Sequence, residues 1–230
     1  MAFLRRLGED LTTNLPTWLP IFAVATVTVF RIVALAMVIA LSVGLLLALG
    51  RRSARRAVAW LCVVYLEGMR GIPAFAFLYF VYLGLPSLGI SLSAFQAAVV
   101  ALGLNAAAYM AEIYRAGIDS VHIGQRDAAL AIGMTSGQAM RHVVMPQALR
   151  VIFPPTTNML VEVIKSTALA SAIGAPEIMN RAIEQTSITF TPMAVYVTAG
   201  ATYLALTLPC ARLGRWLERR AVRERGVATS

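Results

Sequence analysis

An apolar run that extends from about Ile21 to Leu49 contains a single charged residue, Arg31. A helix needs only about twenty apolar residues to cross a bilayer, so this run predicts a membrane-spanning segment. Composition agrees, because 59% of the residues are hydrophobic and 13% are charged, whereas about a quarter of the residues of a soluble domain are charged. We therefore expect an all-α integral membrane protein, which excludes an ordinary soluble domain.

The first run is longer than one span requires. We place the span proper at 32–49 and expect the residues before it, which include Pro16, Trp18 and Pro20, to form an interfacial lead-in. Arg31 can then reach the lipid headgroups by snorkelling.

The other apolar runs predict five transmembrane helices in one domain, residues 1–230. The spans are expected at about 32–49, 73–88, 94–114, 152–175 and 193–211, with a cytoplasmic loop at 115–150. Arginines are concentrated at 51–56 and at 212–225, the latter group being Arg212, Arg215, Arg219, Arg220, Arg223 and Arg225. The positive-inside rule places both groups in the cytoplasm. The N-terminus is then outside and the C-terminus inside.

The segment at 57–71 is apolar at first but then carries Glu67 and Arg70, followed by Gly71-Ile72-Pro73. A span that began near Ala57 would bring both charges towards the middle of the bilayer, at a cost of about 3 kcal/mol each. We therefore expect an elbow helix along the cytoplasmic surface, with the second span starting at Pro73.

The polar segment Gln125 to Leu149 reads QRDAALAIGMTSGQAMRHVVMPQAL and predicts two short helices. Gly133 can adopt the left-handed conformation that ends a helix, and the hydroxyl of Thr135 or Ser136 can cap the next one. That second helix is expected to stop or kink near Met145, because Pro146 has no backbone N–H. The product is a compact helix-turn-helix, which we call the knuckle.

The knuckle resembles the cytoplasmic "EAA" loop of permease subunits in bacterial ATP-binding-cassette (ABC) importers. The family pattern is an acidic residue with two alanines, then glycine, then a hydrophobic residue with proline. The matching residues here are Asp127, Ala128, Ala129, Gly133, Met145 and Pro146. Aspartate stands where glutamate is usual. Four further segments are similar to the polar amino acid branch: Arg70 to Pro73, Ala108 to Arg115, Gly124-Gln125 and Asn158 to Leu169.

The resemblance implies a type I ABC importer permease fold and a transport subunit that is not itself an enzyme. The implied partners are a pair of ATPase subunits that bind the ATP, a second permease (a copy or a relative), an extracytoplasmic amino-acid-binding protein and the lipid bilayer of the bacterial cytoplasmic membrane. No phosphate-binding loop of the G-x-x-x-x-G-K-[ST] type occurs in the sequence, so no cofactor is expected on this chain. The net charge of +9 lies in short runs beside apolar spans, a pattern that does not favour nucleic acid.

Polar residues inside a span are costly and usually face the bundle interior. The fourth span contains several, namely Asn158, Glu162, Lys165, Ser166 and Thr167. Asn158, Glu162 and Lys165 share one helical stripe, with Glu162 about 15 Å from the cytoplasmic start of the span. Two interpretations stay open: these residues line a substrate path, or Glu162 and Lys165 neutralise each other and hold two helices together. The importer family often reads Lys-(Asp or Asn)-(Thr or Ser)-Ser-Leu where 165–169 read Lys-Ser-Thr-Ala-Leu. Two positions are therefore less polar here, because Ser166 stands in place of an aspartate or asparagine and Ala168 in place of a serine.

Glu112 and Arg115 are three residues apart near the inner end of the third span. We expect an intrahelical pair that anchors the loop, with a gating role as the alternative. The cysteines and histidines show no metal-ligand spacing, so no metal site is expected. They are Cys62, Cys210, His122 and His142.

Two other functions compete with the importer. One is an ion-coupled secondary transporter of small polar solutes, and the other is a membrane scaffold that moves nothing. Secondary transporters usually have more spans and an internal repeat, neither of which the sequence contains. The polar stripe of the fourth span argues against the scaffold.

Overall fold

The computed structural model describes the backbone of residues 1–226 and the side chains of residues 1 and 4–219. Within this part the chain forms helices joined by short turns, without β-strands. The α-helices are α1 (Ala2–Arg51), α2 (Arg56–Gly71), α3 (Ala74–Tyr79), α4 (Ala94–Asp119), α5 (Ile123–Ala131), α6 (Ser136–Ala139), α7 (Met145–Ser166), α8 (Ile178–Thr189) and α9 (Pro192–Gly226). Of the arginines assigned to the cytoplasm, Arg220, Arg223 and Arg225 lie outside the described side chains.

The expected all-helical membrane fold is confirmed. Three helices of the described chain, α1, α4 and α9, are each long and apolar enough to cross a membrane. Two bent pairs meet the same criterion together: α2 with the helical segment up to Leu88, bent by 107°, and residues 136–173 with α8, bent by 49°. The described residues thus contain three spans, or five if each bent pair is one span.

α1 is one continuous helix of 50 residues with Pro16 and Pro20 inside it, so the expected lead-in before 32–49 is the first part of the same helix. Packing explains the continuity, because Trp18, Phe22 and Ile32 lie on one helical stripe and are all buried in the main core. At about 1.5 Å per residue the helix is about 75 Å long. A bilayer's apolar layer is about 30 Å thick, so part of α1 lies beyond it.

α2 does not lie across the ends of the other helices, as the elbow interpretation expected. It packs lengthwise against α1 and α4. In the first half of α2, a Cβ on Gly50 of α1 would lie 2.6 Å from the Cys62 sulfur. Near its end, the Asn105 amide of α4 donates a hydrogen bond to the Met69 carbonyl at 3.1 Å.

The two charges that argued against this placement of α2 neutralise each other. Arg70 Nη1 lies 3.8 Å from Glu67 Oε1, and both side chains are exposed in the single chain. An isolated charge would be far more costly in an apolar layer than this pair. The expected break is present, since α2 ends at Gly71 and Pro73 is the N-cap of α3.

Small residues bring α1 and α4 close together. A Cβ on Gly103 would lie 3.0 Å from the Ala36 carbonyl oxygen, and one on Gly44 would lie 2.7 Å from the Met110 Cβ. Ala36 lies against Gly103 and Gly44 against Met110. Residue numbers therefore increase in the same direction along both helices, and α1 and α4 run parallel. We call the end at which both helices finish the arginine-rich end; it holds Arg51, Arg52, Arg55, Arg56 and Arg115.

Candidate functional site

The knuckle at the arginine-rich end is rigidly built. α5 ends in a left-handed turn at Gly133, whose φ is 88°, as the sequence predicted. The Gly133 N–H donates to the Leu130 carbonyl at 3.0 Å and the Met134 N–H to the Ala129 carbonyl at 3.1 Å, the paired bonds of a Schellman motif. Thr135 then caps α6 in a reciprocal capping box with Gln138.

One side of the knuckle is packed and the other is open. Ala129 and Ala139 are buried and hold α5 and the next turn against the chain. Asp127 and Ala128 are exposed, and Ile132 is 76% exposed. The open side therefore combines a carboxylate with small and aliphatic side chains, a surface suited to a protein partner.

We expected the second knuckle helix to stop or kink near Met145, and the prediction of a stop is wrong. A wide π-helical turn at Met140–Val144 leads straight into α7, and Pro146 lies in the first turn of that helix. Proline is tolerated there because its missing N–H and fixed φ suit a first turn. Met145 and Pro146 thus lie within a continuous helical rod from Ser136 to Ile173.

An ionic network joins the last turns of α1 and α4. The expected pair is present, with Arg115 Nη2 2.7 Å from Glu112 Oε2, and Arg51 donates a hydrogen bond to the other oxygen of Glu112. Asp119 accepts from Arg115 at 3.2 Å and also from Arg52. The charges at 112, 115 and 119 have helical spacing that could have pointed to Asp119. The link to α1 depends on helix pairing, which no local pattern predicts.

A cleft of about 360 Å³ opens between α3, α4 and α7. Its lining residues are Ala74, Leu102, Asn105, Ala106, Tyr109, Met159, Glu162, Val163 and Ser166. Four of them are polar, and two of those, Asn105 and Tyr109 of α4, were not predicted from the sequence as site residues. Asn105 interrupts an apolar stretch of a span, which is the signal that could have found it.

The structure brings together only part of the polar set expected in the fourth span. Glu162 and Ser166 line the cleft, and Lys165 Nζ lies 3.3 Å from Glu162 Oε2. Thr167 is buried instead, and its hydroxyl donates to the Ile164 carbonyl at 2.7 Å. Asn158 is exposed and its amide oxygen lies close to Gly214 of α9.

Glu162 lies well away from the arginine-rich end. Ile152 of α7 packs against Gly117 of α4 at that end, and Glu162 follows about 15 Å farther along α7 at the helical rise. The Glu162 side chain is 61% exposed in the single chain and that of Lys165 58%. The pair therefore faces open space beside the cleft and is not enclosed between helices of this chain.

A buried carboxylate at the other end of α7 was not predicted. Glu177, in the break between 136–173 and α8, is 0% exposed. It accepts hydrogen bonds from the Met179 N–H at 2.9 Å, the Asn180 N–H at 2.7 Å and the Tyr203 hydroxyl.

Helices of membrane length around a polar cleft, with a rigid exposed knuckle on the helix that lines the cleft, have the architecture of a membrane transport permease. Residues 40–223 match the family model of the binding-protein-dependent transport system inner membrane component. The match covers most of the chain, and the chain belongs to this family.

Relatives of known name agree. The chain is 35% identical over 212 residues to the arginine transport system permease protein of Bacillus subtilis (strain 168), covering 92% of this chain and 96% of that one. It is 36% identical over 190 residues to a probable glutamine ABC transporter permease protein of the same organism, covering 81% and 88%. A crystal structure of an amino acid ABC transporter with histidines superposes with a TM-score of 0.86 at 34% identity, covering 90% of this chain and 97% of that one.

Proposed function

We propose that this chain is the permease subunit that carries a polar amino acid into the cell in an ABC importer. Relatives named for arginine and glutamine transport cover most of its length, and a similarly complete match to an amino acid ABC transporter supports the same class of solute. The chain itself is a transport permease and not an enzyme. ATP is bound and hydrolysed by a separate pair of ATPase subunits.

The continuity of the knuckle with the cleft carries this proposal. The ATPase docks on the exposed side of the knuckle, formed by Asp127, Ala128 and Ile132. Ser136 to Ile173 is one helical rod, and the stiff turn at Gly133 joins it to α5. The backbone stays helical from the knuckle to Glu162, through the π-helical turn and through Pro154 and Pro155, so a displacement of the knuckle when the ATPase closes reaches Glu162.

The cleft forms part of the substrate path. Glu162 and Ser166 contribute charge and a hydroxyl from α7, and Asn105 and Tyr109 contribute polar groups from α4. Lys165 balances the Glu162 carboxylate until a solute with its own charges competes for it. Asn158 lies on the same stripe nearer the arginine-rich end, whereas the buried Thr167 serves packing.

The remaining partners are those that the binding-protein-dependent family implies. A second permease, either a copy or a relative, covers the exposed Glu162–Lys165 side so that the path lies between the two. A binding protein delivers the amino acid from outside. The chain lies in the bacterial cytoplasmic membrane with its N-terminus outside and its arginine-rich end inside, in accordance with the positive-inside rule.

Uptake into proteoliposomes tests the proposal. The chain is co-purified with its ATPase and reconstituted, and labelled amino acids are supplied with their binding protein. Uptake that requires ATP on the ATPase side, and that an ATPase-inactive partner abolishes, is the expected result. Uptake driven by an ion gradient without ATP would assign the chain to the ion-coupled alternative, and no uptake with all partners present would leave it a scaffold.

A further inference from the structure

The first half of α2 presents an exposed apolar face with two arginines at its start. Trp60 is 63% exposed, Leu61 60% and Val64 48%. Arg55 is the N-cap of α2 and Arg56 its first residue, and both are exposed. Positive charge at one end of an apolar face is the profile of a segment at a membrane interface.

This face points away from the rest of the chain. The opposite side of α2 is the packed one: Cys62 approaches Gly50, and Leu66 is 1% exposed in a small core with Ala108 and Ala111. Arg56, Trp60 and Val64 follow one another at intervals of four residues and so share one face of the helix.

The neighbouring arginines differ in what they contact. Arg51 donates to Glu112 and Arg52 to Asp119, so both belong to the ionic network. Among the described side chains, those of Arg55 and Arg56 have no hydrogen-bond or ion-pair partner. The chain therefore leaves two guanidinium groups free next to the exposed tryptophan, although carboxylates satisfy the other two nearby.

We propose that Arg55 and Arg56 bind the headgroup of an anionic phospholipid whose acyl chains lie along Trp60, Leu61 and Val64. Guanidinium groups bind phosphate through charge-assisted, often bidentate, hydrogen bonds. Tryptophan is favoured at the depth where headgroups meet acyl chains, which is where it must lie if the arginines contact phosphate. Charge complementarity selects an anionic lipid, because a zwitterionic headgroup leaves the two arginines uncompensated.

Quenching of Trp60 by brominated lipids tests this site without a transport assay, so it is independent of the function proposed above. The full chain, with Trp18→Phe and Trp216→Phe, is placed in nanodiscs that contain brominated phosphatidylglycerol or brominated phosphatidylcholine. Brominated phosphatidylglycerol should quench at a mole fraction on the order of tenfold lower than brominated phosphatidylcholine, as expected for two arginines near the surface. Arg55→Gln with Arg56→Gln should abolish this preference.

A matched control removes the same charge elsewhere. Arg212→Gln with Arg215→Gln, in α9, should retain the preference for the anionic lipid. Trp18 is wholly buried, so Trp18→Phe changes the core of the fold. Native mass spectrometry of the chain with all its tryptophans avoids that change and gives a second measurement, in which bound phosphatidylglycerol is retained unless Arg55 and Arg56 are changed. Equal binding of the two lipids, a preference that survives Arg55→Gln with Arg56→Gln, or dissociation of a dimer by that variant would overturn the proposal.

Discussion

The Tyr203 hydroxyl of α9 donates a hydrogen bond to the Glu177 carboxylate, which also caps the first turn of α8. One buried carboxylate thus joins the first turn of α8 to a side chain of α9 that lies 26 residues farther along the chain, and among the described side chains no cation pairs with it. Within the described part of the chain, three hydrogen-bond donors compensate its buried charge, so each donor matters more than it would at a surface.

Tyr203→Phe should therefore lower the free energy of unfolding by about 2 kcal/mol, because the buried carboxylate loses a hydrogen bond that nothing replaces. Tyr196→Phe is the matched control, since Tyr196 lies in the same helix and is 40% exposed. Thermal unfolding of both variants in the same detergent gives the comparison. Equal melting temperatures for the two variants would show that the Tyr203 hydroxyl does not stabilise the fold.

Gly133→Leu should abolish uptake and prevent the ATPase from co-purifying, while the protein remains in the membrane. A Cβ at a φ of 88° is strained, by about 1–2 kcal/mol for the left-handed conformation, and the side chain projects from the open side of the knuckle. Gly137→Leu is the control, because Gly137 has open space around it and its φ is not in the left-handed region. If Gly133→Leu still binds the ATPase and transports at the normal rate, the knuckle is not the coupling element.

Local features of the knuckle could be predicted because each depends on a few neighbouring residues. The left-handed turn follows from Gly133 and the cap from Thr135, both of which the structure confirms. The continuation through Pro146 was missed because a stop was inferred from a lost N–H, whereas the first turn of a helix leaves that N–H unpaired in any case.

Features that depend on helix pairing could not be predicted. Nothing near Glu177 in the sequence points to Tyr203, and nothing near Glu112 points to Arg51. The placement of α2 failed for a related reason: Glu67 and Arg70 were weighed as separate charges, although their spacing of three residues allows them to pair. In the cleft, Glu162 and Ser166 were expected, whereas Asn105 and Tyr109 come from a helix whose register against α7 only the structure shows.

Glu112→Gln should destabilise the arginine-rich end and lower uptake. The Glu112 carboxylate, whose side chain is only 22% exposed, forms ion pairs with both Arg51 and Arg115. In the glutamine variant two guanidinium groups face a neutral amide, which lowers the free energy of unfolding by about 1 kcal/mol or more. Glu9→Gln removes a carboxylate from an exposed pair with Arg5 and should change neither property. Melting temperature and uptake rate are measured for both, and indistinguishable results would contradict a role for the network.

Orientation is tested by labelling single cysteines in intact cells. In a chain whose two native cysteines, Cys62 and Cys210, are replaced by alanine, Gly8→Cys should react with a membrane-impermeant maleimide and Gly137→Cys should react only after the cells are opened. Both positions have open space around them, so accessibility depends on the side of the membrane alone. The reverse pattern would invert the proposed topology.

Glu162→Gln separates the two interpretations of the stripe in α7. If Glu162 lines the path, this nearly isosteric change leaves the amount of protein intact but alters the uptake rate or the preference among acidic, neutral and basic amino acids. If the pair is structural, protein level falls because Lys165 loses its partner, and Glu162→Gln with Lys165→Met restores both level and transport. The exposure of both side chains favours the first outcome, since exposed pairs contribute only about 0–1 kcal/mol to stability.

The matched control for this last prediction is Glu184→Gln, which breaks a pair of the same spacing, Arg181 with Glu184, in α8. Both pairs join residues three apart on an exposed helix face, so loss of the pair alone has the same small effect on stability in each. Only Glu162→Gln should change selectivity, measured as the ratio of arginine, glutamine and glutamate uptake in proteoliposomes. Normal transport with unchanged selectivity in the double variant Glu162→Gln with Lys165→Met would remove Glu162 from the path.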